Sequence, residues 1–190
     1  MIRRHHSEEI PIEIYHGVPK GWAAREIVAA HAGMRGTFSI EGPEATEPGA
    51  PSWMPERYEW LQYRATLYRV ADGVRAGDTA CVELAIRYIE LGYIGSYSGY
   101  IRAKLARRLV AAAIDEHQKV RLNDHFFRLV TSRNYSEEFS QYVRLWKNIL
   151  TDGMLAKLRS YGATQQRPDD NTHATPRPRL QDLITRLERR

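Results

Sequence analysis

The sequence predicts a mainly α protein: an irregular helical bundle of four to five helices with an extended N-terminal arm and a flexible C-terminal tail. Three observations carry that expectation. From Pro55 onward apolar residues recur at spacings of three and four, the period of a helix with a buried face. Good helix-opening residues, among them Asp78, Asp115 and Ser136, stand in front of those stretches. Only one short segment alternates with the period of a strand. The chain divides accordingly into an N-terminal extension over 1–54, a helical core domain over 55–162, and a flexible linker with a short amphipathic helix over 163–190.

In the extension, residues 9–15 place Ile10, Ile12 and Ile14 on one face, and Pro11 restricts that segment to an edge strand or an arm laid over the core. Residues 22–32 read as a short Ala-rich helix ending at Gly33. Between 42 and 55, Pro43, Pro48, Pro51 and Pro55 mark a surface loop. Pro55 suits a first helical position. In the helix after it, Tyr58, Leu61, Ala65 and Tyr68 share one face, while Trp60, Tyr63, Leu67 and Val70 share another. A helix apolar on two sides is expected to be sandwiched between the core and the extension. Asp78 caps a helix to about Leu91, whose polar groups Glu83, Arg87 and Glu90 form one narrow stripe, as a central buried helix requires.

The segment 92–100 (GYIGSYSGY) interrupts the pattern, which resumes over 101–114 with Ile101, Leu105, Leu109 and Ala112 inward. Lys104, Arg107 and Arg108 fall opposite. Asp115 and Gln118 form a capping box for a helix with Leu122, Phe126, Leu129 and Val130 in one arc. Ser136 opens another, lined by Phe139, Tyr142, Val143, Trp146, Ile149 and Leu150, before an interruption at 151–153 and a last short turn over 154–161. Residues 163–179 have no large apolar side chain, so burial cannot offset the entropy of ordering them. Leu180, Leu183, Ile184 and Leu187 then recur at i, i+3, i+4, i+7 in a helix too short to stand alone in water, which must dock on its own chain, a second copy or another partner.

Residues 101–190 hold 18 Lys and Arg against 10 Asp and Glu, whereas residues 1–100 hold 10 against 13. That asymmetry points to an acidic partner, which nucleic acid, an acidic protein surface and anionic lipid would each satisfy. No apolar run approaches the roughly 18 residues a membrane span needs, and Glu8, Glu9 and Pro11 stand where a secretion signal would be apolar. A cytoplasmic location is therefore expected. Cys81 is the only cysteine, which excludes an internal disulfide and any multi-cysteine zinc site.

Glycines 92, 95 and 99 precede a helix start where amide groups, with Arg102 and Lys104 nearby, suit an anion, yet the spacing matches no phosphate-loop pattern. The run IGSYSGYIR resembles the glycine loop of the KH RNA-binding module, with one residue too many between Gly95 and Gly99, and Ile101 one residue early. The alternative is a tight turn around which Tyr93, Tyr97 and Tyr100 pack. His117, Arg121, His125 and Arg128 share a polar helix face suited to phosphates or carboxylates. His117 and His125 are too far apart along it for one metal. Glu13 and His16 form a single E-x-x-H pair where di-iron carboxylate sites need two, and Glu83 with Glu90 reads as a salt-bridge ladder through Arg87. Cys81, among apolar neighbours, reads as a small buried filler.

No catalytic residue, metal set or cofactor is implied. The expected function is a non-enzymatic interaction protein, an adaptor or assembly subunit, engaging an acidic or helix-groove partner, including a second copy, through Leu180, Leu183, Ile184 and Leu187. Nucleic-acid binding by the basic faces (Arg102, Lys104, Arg107, Arg108, Arg121, His125, Arg128) is the alternative. A small enzyme with its site near the Gly-Ser-Tyr turn is the third reading.

Overall fold

The computed structural model describes residues 17–41, 55–136, 138–164 and 180–189. Among them all regular structure is helical: α1 Ala24–Gly33, α2 Pro55–Ala76, α3 Thr79–Leu91, α4 Ser98–Leu109, α5 Glu116–Thr131, α6 Phe139–Ile149, α7 Asp152–Thr164 and α8 Leu180–Glu188. The protein is thus mainly α. The arm expected at 9–15, the Pro-rich loop at 42–54 and residues 165–179 lie outside the described residues.

The expected four to five core helices are in fact six, α2 to α7. The difference arises at Leu150, whose ψ of 124° ends α6. The Thr151 hydroxyl then accepts the Met154 amide at 3.2 Å and restarts the chain as a thirteen-residue helix where the sequence suggested a short turn. Gly153 and Gly162 weaken the propensity signal there, and packing of Leu158 and Tyr161 overrides it. Helix α4 also begins three residues before Ile101, because the Ser98 hydroxyl bonds both the amide and the carbonyl of Gly95 and sets the turn earlier. It ends at Leu109, after which the Ala111 and Ala112 amides bond back to Arg108 and Leu109 in a last tight turn.

Local chemistry sets the other boundaries. Asp78 caps α3 by accepting the Cys81 amide at 2.7 Å, and Gly92, at φ +60°, closes the helix in the left-handed conformation that glycine tolerates. Asp115 and Gln118 form the reciprocal capping box of α5. Helix α3 lies at the centre, packed on α1, α2, α4 and α5. Its Cys81, Ala85, Ile86, Tyr88 and Ile89 are wholly buried. Phe126 of α5 and Trp146 of α6 meet with ring centroids 5.7 Å apart, and α6 joins α4 to α5.

Both ends of the described chain belong to this core. Trp22 meets Tyr88 edge-on at 5.1 Å, and Ile27 of α1 is buried against α2 and α3. Helix α8 lies on α6 and α7, burying Leu183, Ile184 and Leu187, and Gly162 lets Ile184 approach so closely that an added Cβ would stand 3.1 Å from its Cδ1. The short amphipathic helix expected to dock beyond the linker is an ordered helix over 180–188, and it docks on its own chain. Helix α2 is covered unequally: Trp60, Tyr63, Leu67 and Val70 are buried, while Leu61 and Tyr68 are half-buried and Tyr58 is exposed. That incompletely covered face borders the N-terminus of α4.

Candidate docking surface at the α2–α4 face

The turn from α3 to α4 is built to hold aromatic rings outward. Gly95 allows Tyr93 to fold over the turn, since a Cβ there would lie 2.5 Å from the Tyr93 ring. The Tyr93 hydroxyl donates to the Gly17 carbonyl at 2.9 Å, so this ring faces inward and ties the turn to the N-terminal segment. Tyr97 precedes the helix with φ +60°, a left-handed conformation that is unusual for a bulky side chain and costs on the order of 1–2 kcal/mol. Its ring stays at the surface beside Tyr100 at 5.9 Å, and the two are 46% and 68% exposed. Ile94, 84% exposed, stands at the same turn, with exposed Leu91 just before it.

Cations are layered over this aromatic ground. The Arg64 guanidinium lies 4.5 Å from the Tyr97 ring centroid and also contacts Trp60 and Tyr68, at 5.5 and 5.6 Å. One turn further along α4, the Lys104 ammonium sits 4.3 Å from the Tyr68 ring. Arg107 is exposed and Arg108 half-buried on the same helix. The sequence carried a signal for half of this face that the apolar periodicity obscured, because Trp60, Arg64 and Tyr68 stand at successive i+4 positions and hence form one stripe. That the stripe meets Tyr97 is a tertiary fact.

Beneath the surface lies a buried polar layer. Arg102, on the inner side of α4, pairs with Glu138 at 2.5 Å and also donates to the Tyr93 carbonyl, so it braces the turn from below. Tyr142 adds a hydroxyl 3.5 Å from Glu138 Oε1, and the Tyr63 and Tyr88 hydroxyls share a hydrogen bond of 2.5 Å. Burial pushes the Tyr88 phenol up to about 12, and Tyr63 and Tyr142 are raised as well, so all three stay neutral. Burial works against the Arg102 charge, yet the Tyr142 and Glu138 oxygens outweigh it and hold its pKa above the ordinary value.

Several of the basic residues nominated as anion contacts are engaged internally. Arg102 is buried in the pair just described. Arg121 joins α5 to α3, bonding Glu83 at 2.8 Å and Glu90 through both Nε and Nη2, while Arg87 and Gln118 hold the other positions on Glu83. Burial would raise the Glu83 carboxyl, but the Arg121, Arg87 and Gln118 donors outweigh it and hold it below its usual range. His125 is buried against Phe126, and desolvation, with Arg128 nearby, lowers its pKa to about 4, so it is neutral at pH 7. His117 and Arg128 are exposed on α5. Leu183, Ile184 and Leu187 are covered by α6 and α7, and Leu180 is half-buried beside Gly162.

At the opposite side of α3, its cap residue collects donors from a second element. Asp78 Oδ2 accepts the Thr37 and Phe38 amides at 2.6 and 2.9 Å and the Thr37 hydroxyl at 3.2 Å, and Oδ1 faces His31 Nε2 at 3.1 Å. Desolvation opposes ionisation there, but these amide donors dominate and hold the Asp78 carboxyl far below the usual carboxylate range. Glu13 and His16 lie outside the described residues.

This is a helical protein whose distinguishing surface is an exposed aromatic and cationic face. Comparison with family models, curated proteins and solved structures finds no match to the chain, so the site is read from its own chemistry.

Proposed function

We propose that the protein is a non-enzymatic interaction module, an adaptor or assembly subunit, which receives an acidic segment of a partner protein on the α2–α4 face. The observation that carries this reading is the juxtaposition of exposed Ile94, Tyr97 and Tyr100 with the Arg64 and Lys104 cations stacked on neighbouring rings. Tyr and Arg dominate the energetic centres of protein interfaces, because they bury large area at low entropic cost and still offer polar tips. The positive charge on α4 complements an acidic partner and speeds encounter. Exposed Ile94 and Leu91 favour a protein over a nucleic acid, whose phosphates and base edges have no use for aliphatic surface at the rim.

The test is affinity capture from the native host with wild type and the Tyr97→Ala/Tyr100→Ala double variant, with and without nuclease and at two salt concentrations. One protein recovered in stoichiometric amount, nuclease-resistant, weakened by salt and lost in the variant is the expected result. Recovery that disappears with nuclease would instead assign the face to single-stranded nucleic acid, for which stacking rings flanked by cations are also suited.

A further inference from the structure

We propose that His31, Asp78 and Cys81 together bind one borderline divalent cation, zinc in the first instance, joining the last turn of α1 to the first turn of α3. This site is separate from the docking surface and does not depend on it.

The donor atoms are one imidazole nitrogen, one carboxylate oxygen and one sulfur, all buried and all within 4.8 Å of one another. They match the N, O and S preferences of zinc. His31 Nε2 and Asp78 Oδ1 stand 3.1 Å apart, close to the roughly 3.3 Å edge of a tetrahedron whose metal–ligand bonds are about 2.0–2.1 Å. Asp78 and Cys81 are three residues apart at the start of α3, which puts both on one side of its first turn.

The shell behind the donors is already in place. Asp78 Oδ2 is fixed by the Thr37 and Phe38 amides, and Oδ1 accepts the Cys81 amide, leaving the Oδ1 lone pair that faces His31 as the one a cation would take. Backbone without side chains presses on the other two donors. A Cβ at Gly36 would lie 2.1 Å from His31 Nε2, and one at Gly73 would lie 2.3 Å from Cys81 Sγ.

On binding, the Cys81 thiol gives its proton to solvent, and the Nε2 proton that His31 directs at Asp78 Oδ1 also leaves, the neutral ring keeping one proton on Nδ1 while Nε2 coordinates. Thiolate and carboxylate then neutralise the two positive charges of the ion. Without a cation, burial and the Asp78 charge hold the thiol protonated, and the carboxylate remains a buried charge. Three protein donors leave a fourth position for water or another small ligand. Thr37, whose hydroxyl donates to the same carboxylate, is exposed, so the site is one residue from solvent.

The experiment is a cobalt(II) titration of the chelator-treated full chain, in its native state and after refolding with cobalt present. Because Cys81 is the only cysteine, a thiolate-to-cobalt charge-transfer band reports this site alone, whatever cobalt binds at the other histidines. The expected result is a band that saturates at one equivalent and is bleached by one equivalent of zinc, with zinc raising the melting temperature. His31→Gln, which keeps a side chain able to bond Asp78, is expected to weaken cobalt binding by at least about tenfold. Absence of the band in both the native and the refolded protein would overturn the proposal. So would a band of unchanged affinity in His31→Gln.

Discussion

His125 shows how a single side chain is redefined by its surroundings. Its position among Arg121 and Arg128 suggests a basic face, but the ring is buried against Phe126 and its pKa is lowered to about 4. His125 therefore takes up a proton near pH 6.5 in the unfolded chain, whereas in the fold it takes one up only near pH 4. Stability falls as pH drops through about 6.5 and stops falling, for this residue, once the folded group itself titrates near 4. Replacing it by Phe or Asn should flatten that part of the curve, which urea denaturation at a series of pH values from 7 to 4 would read. The loss for wild type is up to about 3 kcal/mol on this account. Asp78 acts in the opposite range: its carboxyl is depressed in the fold, so its contribution is complete above about pH 4 and declines only in stronger acid.

At the scale of an element, α8 is the informative case. Its nine residues are too few for an isolated helix, so its order comes from Leu183, Ile184 and Leu187 against α6 and α7. Leu183→Ala should cost about 2–5 kcal/mol of the free energy that holds α8 in place. Leu183→Asp should undock the helix altogether. Native-state proteolysis would then cut before residue 180 in the variant, while circular dichroism would still report α2 to α6. A core that unfolds together with α8 would show that the helix is a cooperative part of the bundle rather than a late addition. The Arg159–Glu188 pair, at 2.7 Å, joins α7 to α8 on the surface and adds little, since exposed pairs contribute about 0–1 kcal/mol.

For the whole molecule, the arrangement around α3 predicts an order of stability. Helix α3 packs on α1, α2, α4 and α5, whereas α8 packs chiefly on α6 and α7. Amide hydrogen exchange should be slowest in α3, governed there by global unfolding. It should be faster in α8, through opening that leaves the rest intact. Equal protection of the two helices would contradict that hierarchy. Removal of Tyr97 and Tyr100 should leave that order unchanged, because Tyr100 is 68% exposed and the ring contacts of Tyr97, 46% exposed, run to Trp60, Arg64 and Tyr100 on α2 and α4. That separation between stability and binding is what a surface kept for a partner requires.

Helix identity, the Asp78 cap, the Asp115–Gln118 box and the apolar stripe of α8 were legible in the sequence by itself, because each depends on residues within about one to two turns of one another. Mainly α character followed from the same short-range rules. The sixth core helix was not legible, because two glycines lower the local propensity of α7 and its stability comes from packing. Nor could the sequence separate the engaged cations from the available ones. Arg102, Arg121 and Lys104 have the same charge and similar spacing, yet the first meets Glu138, 36 residues away, the second Glu83 and Glu90, and the third an aromatic ring. Tertiary structure alone decided those pairings, as it decided that Arg64 meets Tyr97 and His31 meets Asp78. Charge and ligand chemistry act over a few ångströms of space, and a helical period says nothing about which helix will be the neighbour.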